Sequence, residues 1–245
     1  MTVCRQCGDT FDEVVLHWKL STKCEHPPFT QRQKELLKGL TMGDGGICVP
    51  SRDSGDARMV IKSTNETWLQ WLRSQFQSLA ANVTLAKEGE AIGKRVREYE
   101  QFDDSGGAWE YSDIYRLDIR SHPFLTQMRE RWYTDGEINY PDDLVLTPLS
   151  AKMWYCSDGG LSWSDRQCAH AAFGTHNEAH RPAFLRELFR EHGFDPSWSE
   201  PLIRFGVEDT AELLAWMGPA PAGFEYKWEF GSRDRYDEMK QEITG

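Results

Sequence analysis

Leu37-Lys38-Gly39-Leu40-Thr41-Met42-Gly43-Asp44-Gly45 is the stretch that decides how this chain folds. Leu36, Leu37 and Leu40 recur at helical spacing and give an apolar stripe. Gly39 and Gly43 stand four apart on one helical face, so another backbone can approach that face closely. Gly45 is expected in the left-handed conformation that ends a helix. Asp44 is the anomaly. A carboxylate in the last turn meets the negative end of the helix dipole, a local cost of roughly 0.3–1 kcal/mol. Local rules broken without visible compensation mark functional positions, and a divalent cation at Asp44 would remove the conflict.

The pattern recurs at Ala151-Lys152-Met153-Trp154-Tyr155-Cys156-Ser157-Asp158-Gly159, again an apolar helical stretch that ends in Asp-Gly. One such pair is often only a turn. Two of them, each opening a similar run of elements, indicate an internal repeat. After the first copy, Gly46 to Ser51 and Arg58 to Ser63 read as a hairpin, with Met59 and Ile61 on one face and Arg58, Val60 and Lys62 on the other. A helix follows, with Ser63 and Glu66 spaced as a capping box and Trp68, Leu69, Leu72, Phe76 and Leu79 as its core stripe. Strands are expected at 91–101, carrying Arg95 and Arg97, and at 111–120, carrying Arg116 and Arg120 with Asp118 between them. Pro123 opens the next helix, with Phe124, Leu125, Met128 and Trp132 inward.

After the second copy come a hairpin over 160–176 and a helix from Pro182 that Gly193 ends. A strand with Ile203 and Phe205 follows, then a helix with Leu213, Leu214 and Trp216 that stops at Gly218-Pro219, and a final strand from Phe224 to Phe230. The expected fold is α+β: two helix and antiparallel-sheet saddles, related by a pseudo-twofold and packed through the two motif helices. The first half is longer by an insertion near 85–113. The expected divisions are 1–29, 30–140 and 141–245.

Residues 1–29 read as a separate module. Cys4 and Cys7 are spaced to present two thiolates to one ion, and His17, Cys24 and His26 follow before the breaker Pro27-Pro28. Cys4, Cys7, His17 and Cys24 are the favoured zinc ligands, with His26 as the alternative fourth. Phe11 and Leu16 are too small a core to fold this segment without metal. Cys48, Cys156 and Cys168 sit in apolar sequence and read as small buried residues.

The chain has 245 residues, 39% of them hydrophobic, with ten Trp, which supplies a sizeable core. No apolar run reaches a membrane span, and the polar N-terminus has no signal-peptide pattern, so a cytoplasmic location is expected. The net charge of −11 opposes a nucleic-acid partner, since phosphate-binding surfaces are usually basic. Binding depends on the local field, however, and not on the total.

The first motif resembles the signature of the LAGLIDADG homing endonucleases at Leu37, Gly39, Leu40, Asp44 and Gly45. The second resembles the degenerate copy found in single-chain members, departing at Met153, which stands where Gly39 does, and at Ser157, which matches Gly43. The resemblance implies a monomer that cuts both strands of a long DNA site. In that reading Asp44 and Asp158 meet at the pseudo-twofold axis and hold Mg²⁺, with the backbone carbonyls of Gly43 and Ser157 as further ligands. It also implies a catalytic role for Lys227 near the scissile phosphate. The paired sheets would lie in the major groove of double-stranded DNA, lined by Arg58, Lys62, Arg95, Arg97, Arg116, Arg120 and Arg204. Two alternatives have no catalysis. One is a DNA-binding regulator on the same fold, which would have no use for two carboxylates facing phosphates. The other is a zinc-bearing interaction protein whose Asp-Gly pairs are plain turns, which the net charge favours.

Overall fold

A computed structural model describes residues 2–3, 9–12, 14–20, 26–49, 55–91, 112–164 and 167–244. At the N-terminus, β1 (Thr2–Val3) and β2 (Thr10–Phe11) pair antiparallel and precede α1 (Val14–Leu20), whose Val14 and Trp18 are buried. Of the expected zinc ligands, Cys4, Cys7 and Cys24 lie outside the described residues. His17 stacks on Phe11 with ring centroids 3.8 Å apart, and His26 meets the ring of His122 edge-on at 5.2 Å.

The first motif helix, α2, spans Gln31–Met42. Thr30 Oγ1 accepts the Gln33 N–H, and the Gln33 side chain accepts the Thr30 N–H, so a reciprocal box fixes its start. Leu36, Leu37 and Leu40 are fully buried, each worth about 1.5–3 kcal/mol relative to exposure. There follow β3 (Gly46–Cys48), β4 (Arg58–Ser63), α3 (Glu66–Phe76), β5 (Thr84–Lys87), β6 (Ile114–Ile119) and α4 (Pro123–Trp132). The strands form one antiparallel sheet in the order β3-β4-β6-β5. Met59 and Ile61 are buried against the helices, while Arg58 and Lys62 are exposed on the other face, as the alternation predicts.

Three details differ from expectation. Asn65 caps α3, accepting the Trp68 N–H at 2.9 Å, and Ser63 Oγ accepts the Asn65 N–H in the turn before it. The Asx side chain reaches the orphan amide that a serine further back cannot. The strand beside β6 is β5, whose four residues are all exposed, so no apolar alternation announces it. The strand expected at 91–101, with Arg95 and Arg97, falls outside the described residues from position 92 onward. Cys48 is exposed, not buried, because it points outward on β3 across from Arg58.

A short hairpin, β7 (Tyr133–Thr134) and β8 (Glu137–Ile138), turns on Asp135 and Gly136 at φ 54° and 90°. This is the pair of left-handed residues that a tight hairpin needs. The second series then runs α5 (Pro148–Asp158), β9 (Gly159–Trp163), β10 (Ala169–Gly174), α6 (Pro182–Arg190), β11 (Ser197–Ser199), β12 (Leu202–Arg204) and α7 (Val207–Met217). Its sheet has the order β11-β12-β10-β9. The sheet thus repeats the first hairpin-plus-strands arrangement, with α5 in the place of α2.

The expected final strand is instead a 3₁₀ turn at Glu225–Trp228. Tyr226 and Lys227 are adjacent and both buried, which a strand with one solvent face does not allow. Trp228 Nε1 donates to the Gly218 carbonyl at 3.0 Å and ties the turn to the end of α7. A last helix, α8 (Arg233–Thr244), is mostly exposed and charged, anchored by Tyr236 against the rings of Trp163 and Tyr226. Among the described residues no helix is long and apolar enough to cross a membrane.

Candidate active site at the ends of the motif helices

The pairing of α2 with α5 rests on missing side chains. A Cβ on Gly39 would fall 2.1 Å from the Ser150 carbonyl oxygen and 2.7 Å from the Met153 Cβ. A Cβ on Gly43 would fall 2.3 Å from the Ser157 Cβ. The bare face belongs to α2 alone, and Met153 and Ser157 on α5 fill it, so the contact is asymmetric as the sequence departures predict.

This packing brings the two helix ends together. α5 ends on Asp158 itself, whereas α2 ends at Met42 and Asp44 stands in the turn beyond. Asp158 Oδ2 lies 3.6 Å from the point that a Cβ on Gly43 would occupy, one residue before Asp44. Gly45 is not left-handed, contrary to expectation. Its N–H donates to the Leu40 carbonyl at 2.7 Å, and a Cβ there would meet the same oxygen at 2.7 Å. Space, not backbone sign, requires the glycine.

The electrostatics follow from this geometry. Desolvation, then the neighbouring Asp44, pushes the Asp158 carboxyl up to about 6, while His176 and Lys227 pull it down. Asp44 is raised as well, by desolvation against the opposing charge of Lys227. Two partly dehydrated carboxylates of like charge resist ionising together, and a hard cation relieves both. Among the described residues no group of three or more His, Cys, Asp and Glu side chains could hold a metal. Two carboxylates are hard oxygen donors of the kind that a divalent cation keeping part of its water shell accepts.

Lys227 sits just behind the second carboxylate. Its Nζ donates to the carbonyls of Cys156 at 2.6 Å, Gly159 at 2.7 Å and Tyr155 at 3.3 Å. Burial lowers it to about 8, with Cys156, Asp44 and Asp158 opposing. Two further residues belong to the site and were not anticipated. Tyr140 donates its phenol to the Met42 carbonyl at 2.6 Å. His176, just past β10, acts electrostatically on Asp158. Neither carries a sequence signal, because each reaches the site through tertiary packing from a connecting segment.

The sheet faces turned away from the helices carry the basic residues. On the first sheet Lys62 is across from Arg116, and Asp118 takes Arg116 in two bonds of 2.7 Å with Arg58 at 3.9 Å. The hydrogen bond to Asp118 raises the Arg116 guanidinium further. Arg120 Nε donates to the Ser78 carbonyl at 3.1 Å, and burial, then Arg73, lowers its guanidinium. On the second sheet Arg204 lines a hollow of about 420 Å³ with Ser162, His170 and Ser197. Gly174 backs Asp158, with a Cβ there 3.3 Å from the Asp158 Cβ. The pairings Gly46↔Val60 and Phe173↔Gly159 make Lys62 the counterpart of Gly174.

The chain is similar to proteins already described. An uncharacterized protein of Methanocaldococcus jannaschii, MJ1098, is 26% identical over 129 residues, which cover 53% of this chain and 44% of the relative. The chain thus spans less than half the length of that curated relative. The solved structure of the homing endonuclease I-WcaI bound to its DNA recognition sequence superposes with a TM-score of 0.68 at 16% identity, over 93% of this chain and 96% of that one. The likeness shows the fold, an α+β homing-endonuclease saddle. Residues 34–197 match the family described as LAGLIDADG DNA endonucleases, a span that holds both Asp-Gly helices and both hairpins. By that match, the chain belongs to the LAGLIDADG DNA endonuclease family.

Proposed function

We propose that this protein is a site-specific, Mg²⁺-dependent endonuclease that cuts both strands of a DNA duplex as a monomer. The observation that carries the reading is the pair Asp44 and Asp158, each desolvated, at the adjoining ends of two helices that glycine packing locks together. A pure binding protein gains nothing from raised carboxylates at the point of closest approach to phosphates. The bound metal would supply an activated water and charge neutralisation at the leaving oxygen. Asp44 and Asp158, with the Gly43 and Ser157 carbonyls, would hold it. Having both motifs in one chain supplies the pair without a second copy, which supports the monomer.

The duplex would lie along the sheet faces that carry Arg58, Lys62, Arg116 and Arg204, with Arg120 at the end of β6 and Arg95 and Arg97 supplied by the segment beyond β5. I-WcaI, whose fold this chain shares, is bound to its DNA recognition sequence. Residues 1–29 would form a zinc module on Cys4, Cys7, His17 and Cys24 or His26, beside the two halves 30–140 and 141–245. Reduced cysteines in a metal module suit a cytoplasmic location.

The test is incubation of the protein with a supercoiled plasmid library carrying randomised inserts, with Mg²⁺, followed by sequencing of linearised molecules. One enriched insert with fixed break positions is the expected result. Binding without breaks would instead support a non-cleaving regulator.

A further inference from the structure

Two buried side chains make the same contact in the two halves. Met42 and Cys156 hold the same position, two residues before Asp44 and Asp158. The Met42 carbonyl accepts the Tyr140 phenol at 2.6 Å, and the Cys156 carbonyl accepts the Lys227 ammonium at 2.6 Å. Each donor follows a helix of its own half, Tyr140 after α4 and the β7–β8 hairpin, and Lys227 on the 3₁₀ turn between α7 and α8. Both are almost fully buried, Tyr140 at 1% and Lys227 at 7% exposure. The last carbonyls of a helix lack intrahelical partners, and in both halves a long side chain from the far end of the same half supplies one.

We infer that Tyr140 and Lys227 are matched positioning residues that clamp the last turn of each motif helix and so fix the carboxylate that follows it. The inference rests on the metal-site reading of Asp44 and Asp158, and it separates the two halves. Tyr140 is a neutral clamp with one hydrogen bond. Lys227 is a charged clamp with three, which also reaches the carbonyl of Gly159 beyond Asp158. Lys227 thereby lends a positive charge to both carboxylates, while Tyr140 lends none. A helix C-terminus favours a cation, so the lysine suits its place at the helix end. The two cleavage centres are then unequal by construction, the second more tightly held.

The test uses the full chain in three variants, Tyr140→Phe, Lys227→Met and Lys227→Gln, read by amide hydrogen exchange and by Mn²⁺ calorimetry. The Gly43 and Gly45 amides, which donate to Leu40, report the first turn, and the Gly159 amide, which donates to Tyr155, reports the second. Tyr140→Phe should speed exchange at Gly43 and Gly45 roughly five- to tenfold, the effect of one lost hydrogen bond, and leave Gly159 unchanged. Lys227→Met should do the reverse. Lys227→Gln keeps a donor and loses the charge, so it should protect Gly159 better than the Met variant does. It should also bind Mn²⁺ roughly tenfold tighter, as expected for one charge removed several ångströms away. Tyr140→Phe should leave Mn²⁺ affinity within about twofold of the parent, because no charge changes. Faster exchange at both turns in every variant, or at neither, would overturn the clamp. Parent protein that binds no Mn²⁺ would overturn the metal-site reading, and the exchange pattern would still decide the clamp.

Discussion

Replacing Gly39 by alanine tests the helix pairing on which the site depends. In an isolated helix the change would help by about 0.8–1 kcal/mol, because alanine is the better helix former. Here the new methyl would stand 2.1 Å from the Ser150 carbonyl oxygen and 2.7 Å from the Met153 Cβ. Methionine can turn away, but a helical carbonyl cannot, so α2 and α5 must separate by about 1 Å. Overpacking of this kind costs about 1–3 kcal/mol and occasionally more, and a backbone contact belongs at the upper end. With the propensity gain subtracted, a net loss of about 2 kcal/mol is expected, which for a chain of this size lowers Tm by roughly 4–8 °C. Gly46→Ala is the matched control, because a Cβ there meets nothing within 4 Å. Thermal unfolding followed by circular dichroism reads both variants. A Gly39→Ala protein as stable as the parent would refute the close-packed interface and the adjacency of the carboxylates derived from it.

Other outcomes follow from the charges and the metals. Folding raises the Asp158 carboxyl from 3.8 to about 6, so its protonated form favours the fold. That stabilisation is complete below about pH 4 and is lost as the pH rises through about 6. Mg²⁺ should therefore raise Tm more near pH 8 than near pH 5 in a scanning fluorimetry series, and an equal shift at both would count against metal at this pair. Asp118→Asn frees Arg58 and Arg116, so binding to non-specific duplex should tighten and its log–log salt dependence should steepen by up to about 0.9 for each new phosphate contact. Fluorescence anisotropy across a salt series reads this, and weaker binding would remove those arginines from the interface. Metal analysis of reduced protein should find about one zinc per chain, lost in Cys7→Ser with the main fold retained; protein without zinc would end the N-terminal assignment.

The sequence exposed the parts of the fold where periodicity and spacing carry the information. The motif helices, both hairpins, the helices that open at Pro123 and Pro182 and the helix that stops at Gly218-Pro219 all follow from apolar stripes with Gly or Pro at a boundary. The close approach at Gly39 and Gly43, and its asymmetry at Met153 and Ser157, were legible from two glycines four apart. What was hidden has no local pattern. β5 is exposed throughout, α8 holds one buried anchor, Tyr236, and the turn around Lys227 buries neighbours that an alternating strand would split. The site was half legible for the same reason. Asp44 and Asp158 violate a rule of their own helices, whereas Tyr140 and His176 gain their roles only when distant segments fold onto the site. Lys227 was singled out for its chemistry, but its three carbonyl contacts come from tertiary packing that no spacing encodes.

The central claim is that one pair of carboxylates cuts DNA, and strand-resolved cleavage by Asp44→Asn and Asp158→Asn tests it most directly. Each substitution keeps the side-chain shape and removes one charge. On the plasmid insert that the parent protein selects, both should lose double-strand cleavage by orders of magnitude, and any residual product should be a single-strand nick. Binding should hold or tighten, because a negative charge beside phosphate has gone. Linear product from either variant at the parental rate would contradict the account.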